Sequence, residues 1–209
     1  SMSRSDVFRS FVRAGADGMR QRLRGAAPVA VARRVLRELQ QQRALLDERQ
    51  LTAAVARTPE LSSASVTARH GGLQVDASFE GGETIAFRLE PFGTRFAARG
   101  AKEVTFRVEP AALVSNAKVR AIVGSLAGSV AFALWGVVLG RPNERELLGA
   151  IVERDGNAML RVDLRTVPAV RALERKGPAA MVLDVMELER VSVEEGSLVL
   201  KLKLPGLPG

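Results

Sequence analysis

Twenty consecutive residues carry no charge: AIVGSLAGSVAFALWGVVLG, residues 121–140, set between Lys118 and Arg120 on one side and Arg141 on the other. A stretch apolar on every side must be surrounded, either by lipid or by protein. The bilayer alternative has its own support, because Gly124-x-x-x-Gly128 and Gly136-x-x-x-Gly140 are small-residue pairs of the kind that let membrane helices approach. Against it stands the position of the run, between amphipathic strands that need one common core. A span there would leave the two halves of a sheet on opposite sides of a membrane. The reading is therefore a helix over residues 116–139, entered at Ser115 or Asn116, stopped by Gly140 and Pro142, and enclosed by a soluble fold.

The strands on either side are recognised by a period of two. In GLQVDASFE, Leu73, Val75, Ala77 and Phe79 alternate with Gln74, Asp76, Ser78 and Glu80, and Gly81-Gly82 makes a hairpin turn. TIAFRLE places Ile85, Phe87 and Leu89 on the dry side, and KEVTFRVE adds Val104, Phe106 and Val108. A short run TRFAAR lies between them. After the apolar helix, Asn143 and Glu146 form a capping box for a helix over 144–154. MLRVDLR is a strand with Leu160, Val162 and Leu164 inward, and Thr166 caps a helix reaching to about Lys176. A final hairpin joins MVLDVMELERVSV to SLVLKLKL, whose Leu198, Leu200, Leu202 and Leu204 share a side. The predicted fold class is α+β: an N-terminal helical pair, then a curved antiparallel sheet around the long apolar helix.

Charge divides the chain differently. Residues 1–57 hold 12 Arg against five Asp or Glu, so most of the net charge of +8 lies there. Two helices are expected in this segment. The first is capped by Ser5, with Val7, Phe8, Phe11, Val12, Met19 and Leu23 at helical spacing. The second runs over 29–57 with Val35, Leu36, Leu39 and Leu46 as its stripe. GAAP separates them and TPELSS links them to the body, which gives a basic helical segment, 1–57, and an α+β domain, 64–205. Phe8, Arg9, Phe11, Arg13, Met19 and Arg20 could together dock on an anionic membrane surface. The alternative is that both helices pack on the sheet and the arginines form a solvated face. Read from Met2, the start has no apolar core of signal-peptide length, so the expected location is the cytoplasm, peripheral to the inner membrane where the basic helix docks.

On a helical wheel at 100° per residue, Val119, Ile122, Leu126, Val130 and Val137 form a bulky side, while Gly124, Ser125, Gly128, Ser129 and Gly136 form a small one, interrupted by Phe132 and Trp135. The small side either packs closely on a neighbour or borders an elongated apolar cavity. In its order of meander, long apolar helix, strand, helix and closing hairpin VMELERVSVEEGSLVLKLKLPG, the chain over roughly 65–205 is similar to the tubular lipid-binding (TULIP) superfamily, which includes bacterial one-domain members. That resemblance implies a non-catalytic protein that binds or transfers a lipid or fatty-acyl ligand. The inward positions that would line its site are Phe79, Phe87, Leu89, Phe106, Gly124, Leu126, Gly128, Phe132, Trp135, Val162 and Leu200. The competing expectation is an interaction or scaffold module, homo-oligomeric or partner-binding, with a solid core.

Little here favours catalysis. The chain has no Cys or Tyr and a single His, His70, beside the turn glycines Gly71 and Gly72. The carboxylates Asp76, Glu80 and Glu83, and Glu187, Glu189, Glu194 and Glu195, fall mostly on wet faces, and Asp163 balances Arg161 and Arg165. No phosphate-binding glycine loop, metal-ligand spacing or nucleophile elbow is present. No cofactor, metal or nucleic-acid partner is therefore expected, the last because the basic helices carry no recognition motif and few aromatics.

Overall fold

The computed structural model describes residues 43–203 except 98, 176–179, 181 and 185. The first expected helix and the membrane-docking residues Phe8, Arg9, Phe11, Arg13, Met19 and Arg20 lie outside the described residues, as do Leu204 and Pro205. The described chain is mixed α and β, with two antiparallel sheets rather than one. Six strands form the larger sheet in the order β2-β3-β4-β5-β7-β6: β2 (Leu61–Arg69), β3 (Gly72–Phe79), β4 (Thr84–Phe96), β5 (Lys102–Glu109), β6 (Val152–Arg154) and β7 (Met159–Asp163). The smaller sheet has the order β1-β9-β8, from β1 (Arg43–Asp47), β8 (Glu187–Glu194) and β9 (Ser197–Lys203).

Alternation explains the larger sheet. Val75 lies between Val66 and Phe87, Leu73 faces Leu89, Leu89 faces Val108, and Phe106 faces Leu160. All of these side chains are buried, so one face is continuous and dry. The opposite face is a lattice of ion pairs, within and across strands. Glu90 takes Arg88 at 3.2 Å and Arg107, while Arg95 reaches Glu103 at 2.9 Å and Arg161 reaches Glu153 at 2.9 Å. The hydrogen bond from Arg107 is the main reason the Glu90 carboxyl sits below its ordinary value.

The apolar run is the long helix α2 (Ala117–Leu139). Asn116 caps it, its side-chain oxygen accepting from the backbone N–H groups of Lys118 and Val119. Gly140, at φ 71°, ends it in a conformation an L side chain disfavours. Residues Ala117–Gly136 are long and apolar enough to cross a membrane, yet most of them are enclosed by this fold. Every residue from Ile122 to Ala131 is buried. The helix, the dry face of the larger sheet and the inner face of the smaller one belong to a single core.

Three expectations need correction. A second N-terminal helix over 29–57 does not form as such: residues 43–47 are strand β1, with Ala44 and Leu46 buried and paired to Leu200 and Leu198. Residues 29–42 lie outside the described residues; of the described part, α1 (Glu48–Ala56) is helical, begun by a capping box between Asp47 and Gln50. Strand β1 pairs with β9, and Ala44, Leu46, Leu51, Ala54 and Val55 join the same core as the strands that follow. Asn143 does cap, its side-chain oxygen accepting from the Glu146 N–H, but the reciprocal half of the box is missing, since the Glu146 carboxylate takes the Asn143 side-chain amide, and the helix after it is one 3₁₀ turn, Glu144–Leu147. The chain then bends at Gly149, φ 87°, and becomes β6. Thr166 is not a cap: its hydroxyl donates to the Asp163 carbonyl and accepts from the Ile151 N–H, while α3 (Pro168–Leu173) starts with proline at its first turn.

Candidate functional site

The small side of α2 is filled by backbone. Leaving the helix, the chain doubles back along it, with Leu147 over Gly128 and Ala150 over Gly124. A Cβ at position 128 would overlap the Leu147 carbonyl, and one at position 124 would lie 3.3 Å from the Ala150 oxygen. The two glycines expected to border a cavity are thus points of close approach. The serines of this side are also spoken for. Ser125 donates to the Ala121 carbonyl at 3.1 Å and meets Thr58 at 2.7 Å, and Ser129 accepts from Arg57 at 3.4 Å.

The other expected lining residues divide in two. Phe79, Phe87, Leu89, Phe106, Leu126, Trp135, Val162 and Leu200 are buried in the core. Trp135 stacks on Phe96 with ring centroids 6.4 Å apart. Phe132 is a correction: it is 45% exposed and so stands outside the core.

A buried charge joins the two sheets. Lys102, at the start of β5, is fully buried, and its Nζ donates to the carbonyls of Ala97 at 2.8 Å, Met186 at 3.1 Å and Asp184 at 3.2 Å. The Phe96 ring lies beneath it, 5.6 Å from Nζ to centroid. Burial pushes this amine from 10.5 down to about 8, with the charge of Arg165 adding to the effect and Asp184 and Glu187 opposing it. Arg165 in turn bonds Asp184 at 2.8 Å and Glu174 at 3.2 Å. The effect is to fix the chain just before β8 against the β4–β5 connection. Nothing in the sequence pattern singled this lysine out; the signal available was its place on the dry side of KEVTFRVE, in phase with Val104 and Phe106.

A surface groove of about 470 Å³ lies between the two sheets, lined by Gly71, residues 91–94 of β4 and residues 189–193 of β8. Each wall carries an irregularity. Pairing of β4 with β5 shifts register between Pro91 and Gly93, and pairing of β8 with β9 shifts between Leu188 and Arg190. Phe92 and Glu189 are the extra residues, and such bulges turn a side chain out of the ladder. Phe92 is accordingly 66% exposed. Sequence reasoning passed over this place, although Phe92 between Pro91 and Gly93 marks a break in alternation. Among the described residues no group of three or more His, Asp or Glu converges as a metal site.

Comparison with known proteins adds no family: no family model matches the chain, and searches of curated proteins and of solved structures gave no significant match.

Proposed function

We propose that the protein is a non-catalytic binding module that acts through its surface and not by carrying a lipid inside. The observation that carries this reading is the Leu147 carbonyl seated where a side chain on Gly128 would be, so that the chain's own backbone fills the place an acyl cargo needs. Support also comes from where the apolar side chains outside the core stand. Phe92 and Phe132 face solvent, while arginines on the wet face of the larger sheet are matched by carboxylates. Exposed aromatics are common anchors at protein contacts.

The test is organic extraction of the purified full chain followed by mass spectrometry. Extracts free of acyl lipid are expected. Lipid recovered at near-equal stoichiometry overturns this reading in favour of internal cargo.

A further inference from the structure

We propose that strand β1 pairs with the β1 of a second copy of this chain, antiparallel and about a two-fold axis at Leu45, so that two three-stranded sheets become one. This pairing goes beyond the surface-binding reading and does not depend on it. The end strands of the two sheets are not alike. At β2, helix α1 stands over the edge: the Val66 N–H donates to the Thr52 hydroxyl at 3.0 Å and the Ala68 N–H to the Glu48 carboxylate at 2.9 Å. Strand β8 lies alongside β4 and accepts the Thr94 hydroxyl. Strand β6 is only three residues long. Strand β1 has five residues and ends its sheet beside β9.

The phase of the ladder shows which groups are on offer. The Glu48 N–H donates to the Gly196 carbonyl at 3.2 Å, while Leu46 stands opposite Leu198 and Ala44 opposite Leu200. Alternation then turns the N–H and C=O of Ala44 and Leu46 to β9 and those of Arg43 and Leu45 outward. Among the described residues these outward groups have no hydrogen-bond partner, whereas the Asp47 N–H is taken by Gln50. The side chains follow the same alternation: Ala44 and Leu46 are buried, and Arg43, Leu45 and Asp47 are exposed on one face. Leu45 is 50% exposed, and an apolar side chain at the middle of an end strand invites pairing. The charges decide for a second copy and fix the register. An antiparallel pair centred on Leu45 sets Leu45 against itself and Arg43 opposite Asp47 at both ends. Arg43 holds Glu194 at 3.1 Å in an exposed pair, and its guanidinium has donors for a further carboxylate. Asp47 caps α1 through one oxygen, which accepts from the Gln50 N–H at 2.8 Å, and its other oxygen remains for Arg43 of the second copy.

The test is sedimentation velocity of the full chain over a range of concentrations, with hydrogen exchange followed amide by amide. A reversible dimer is expected. A strand pair is a small contact, so its dissociation constant should be about micromolar or weaker. On dilution the Leu45 amide should lose protection, while those of Ala44 and Leu46, turned to β9, keep theirs. Leu45→Pro removes only an outward N–H, which an end strand tolerates, and Arg43→Glu sets two carboxylates together at each end. Each should raise the dissociation constant at least about tenfold. Glu194→Gln, which breaks the Arg43 pair inside one copy, should leave it unchanged. If Leu45→Pro fails to fold, Arg43→Glu compared with Glu194→Gln still decides. A monomer at every concentration, or a dimer indifferent to either folded variant, overturns the proposal. So does a Leu45 amide protected equally at every dilution, which would assign the cover of this edge to the chain's own residues 1–42.

Discussion

The return of residues 147–152 along α2 and the approach of β8 to β4 are both seams between pieces of chain that do not pair with each other as strands. The first is closed to backbone contact and the second stands open. At the first, position 128 has no side chain, so a carbonyl enters the helix surface and the core seals. At the second, Pro91 has no N–H to offer and Phe92 is thrown outward by a bulge, so the two strands lie side by side without a ladder and the Thr94 hydroxyl makes the hydrogen bond between them. The same fold thus uses a missing side chain to exclude occupants from one place and an irregular strand to leave another vacant. Interior room is decided by the residue at closest approach more than by overall greasiness.

The largest expected effect is at the sealed seam. Gly→Ala inside an ordinary helix stabilises by about 1 kcal/mol. Gly128→Ala should do the reverse, costing about 2 kcal/mol or more, since the added carbon has no space beside Leu147. Urea unfolding reads the sign, and an alanine variant as stable as the parent would open this seam.

Next comes Lys102→Met, whose effect depends on pH. Below about 8 the amine is charged in both the folded and the unfolded chain. Between about 8 and 10.5 the unfolded chain holds the proton and the folded one has released it, so the stability this group contributes rises with pH across that window and is lost again as pH falls through 8. Parent and variant compared by urea unfolding at pH 7.5 and pH 10 should differ in slope, the parent gaining relative to the variant. Parallel behaviour would mean that the lysine holding the chain ahead of β8 is not held away from water.

The smallest effect belongs to the open seam. Thr94→Val removes one hydrogen bond to Leu188 and should cost about 0.5–1.5 kcal/mol. A larger loss, with faster exchange throughout β8, would show the two walls more firmly joined than a single hydroxyl allows.

Much of this architecture was legible in the sequence where local pattern and tertiary outcome agree. Alternation located β3, β4, β5, β7 and β9, and Asn116 and Gly140 bounded α2. Residues 43–47 were misread because Ala44, Leu45 and Leu46 suit either state locally, and a pairing with β9 about 150 residues away decides between them. Residues 144–154 were misread because an initiating cap says nothing of length, and Gly149 ends the helix after one turn. The candidate lining was legible as buried positions, since alternation turns Phe87 and Val162 inward. Whether they border space was not, because that depends on what Gly128 meets from another part of the chain. The groove escaped for a related reason: a bulge is defined by its partner strand, which periodicity along a single strand does not report.

The central place of β9 in its small sheet has a consequence for how the molecule is made. Strand β1 is among the first described residues to leave the ribosome, and the strand that receives it among the last. Until residues 197–203 emerge, neither Ala44 and Leu46 nor β8 has a ladder to join. Closure of the smaller sheet therefore waits on the last of the described strands, with a greasy helix already made and in need of shelter.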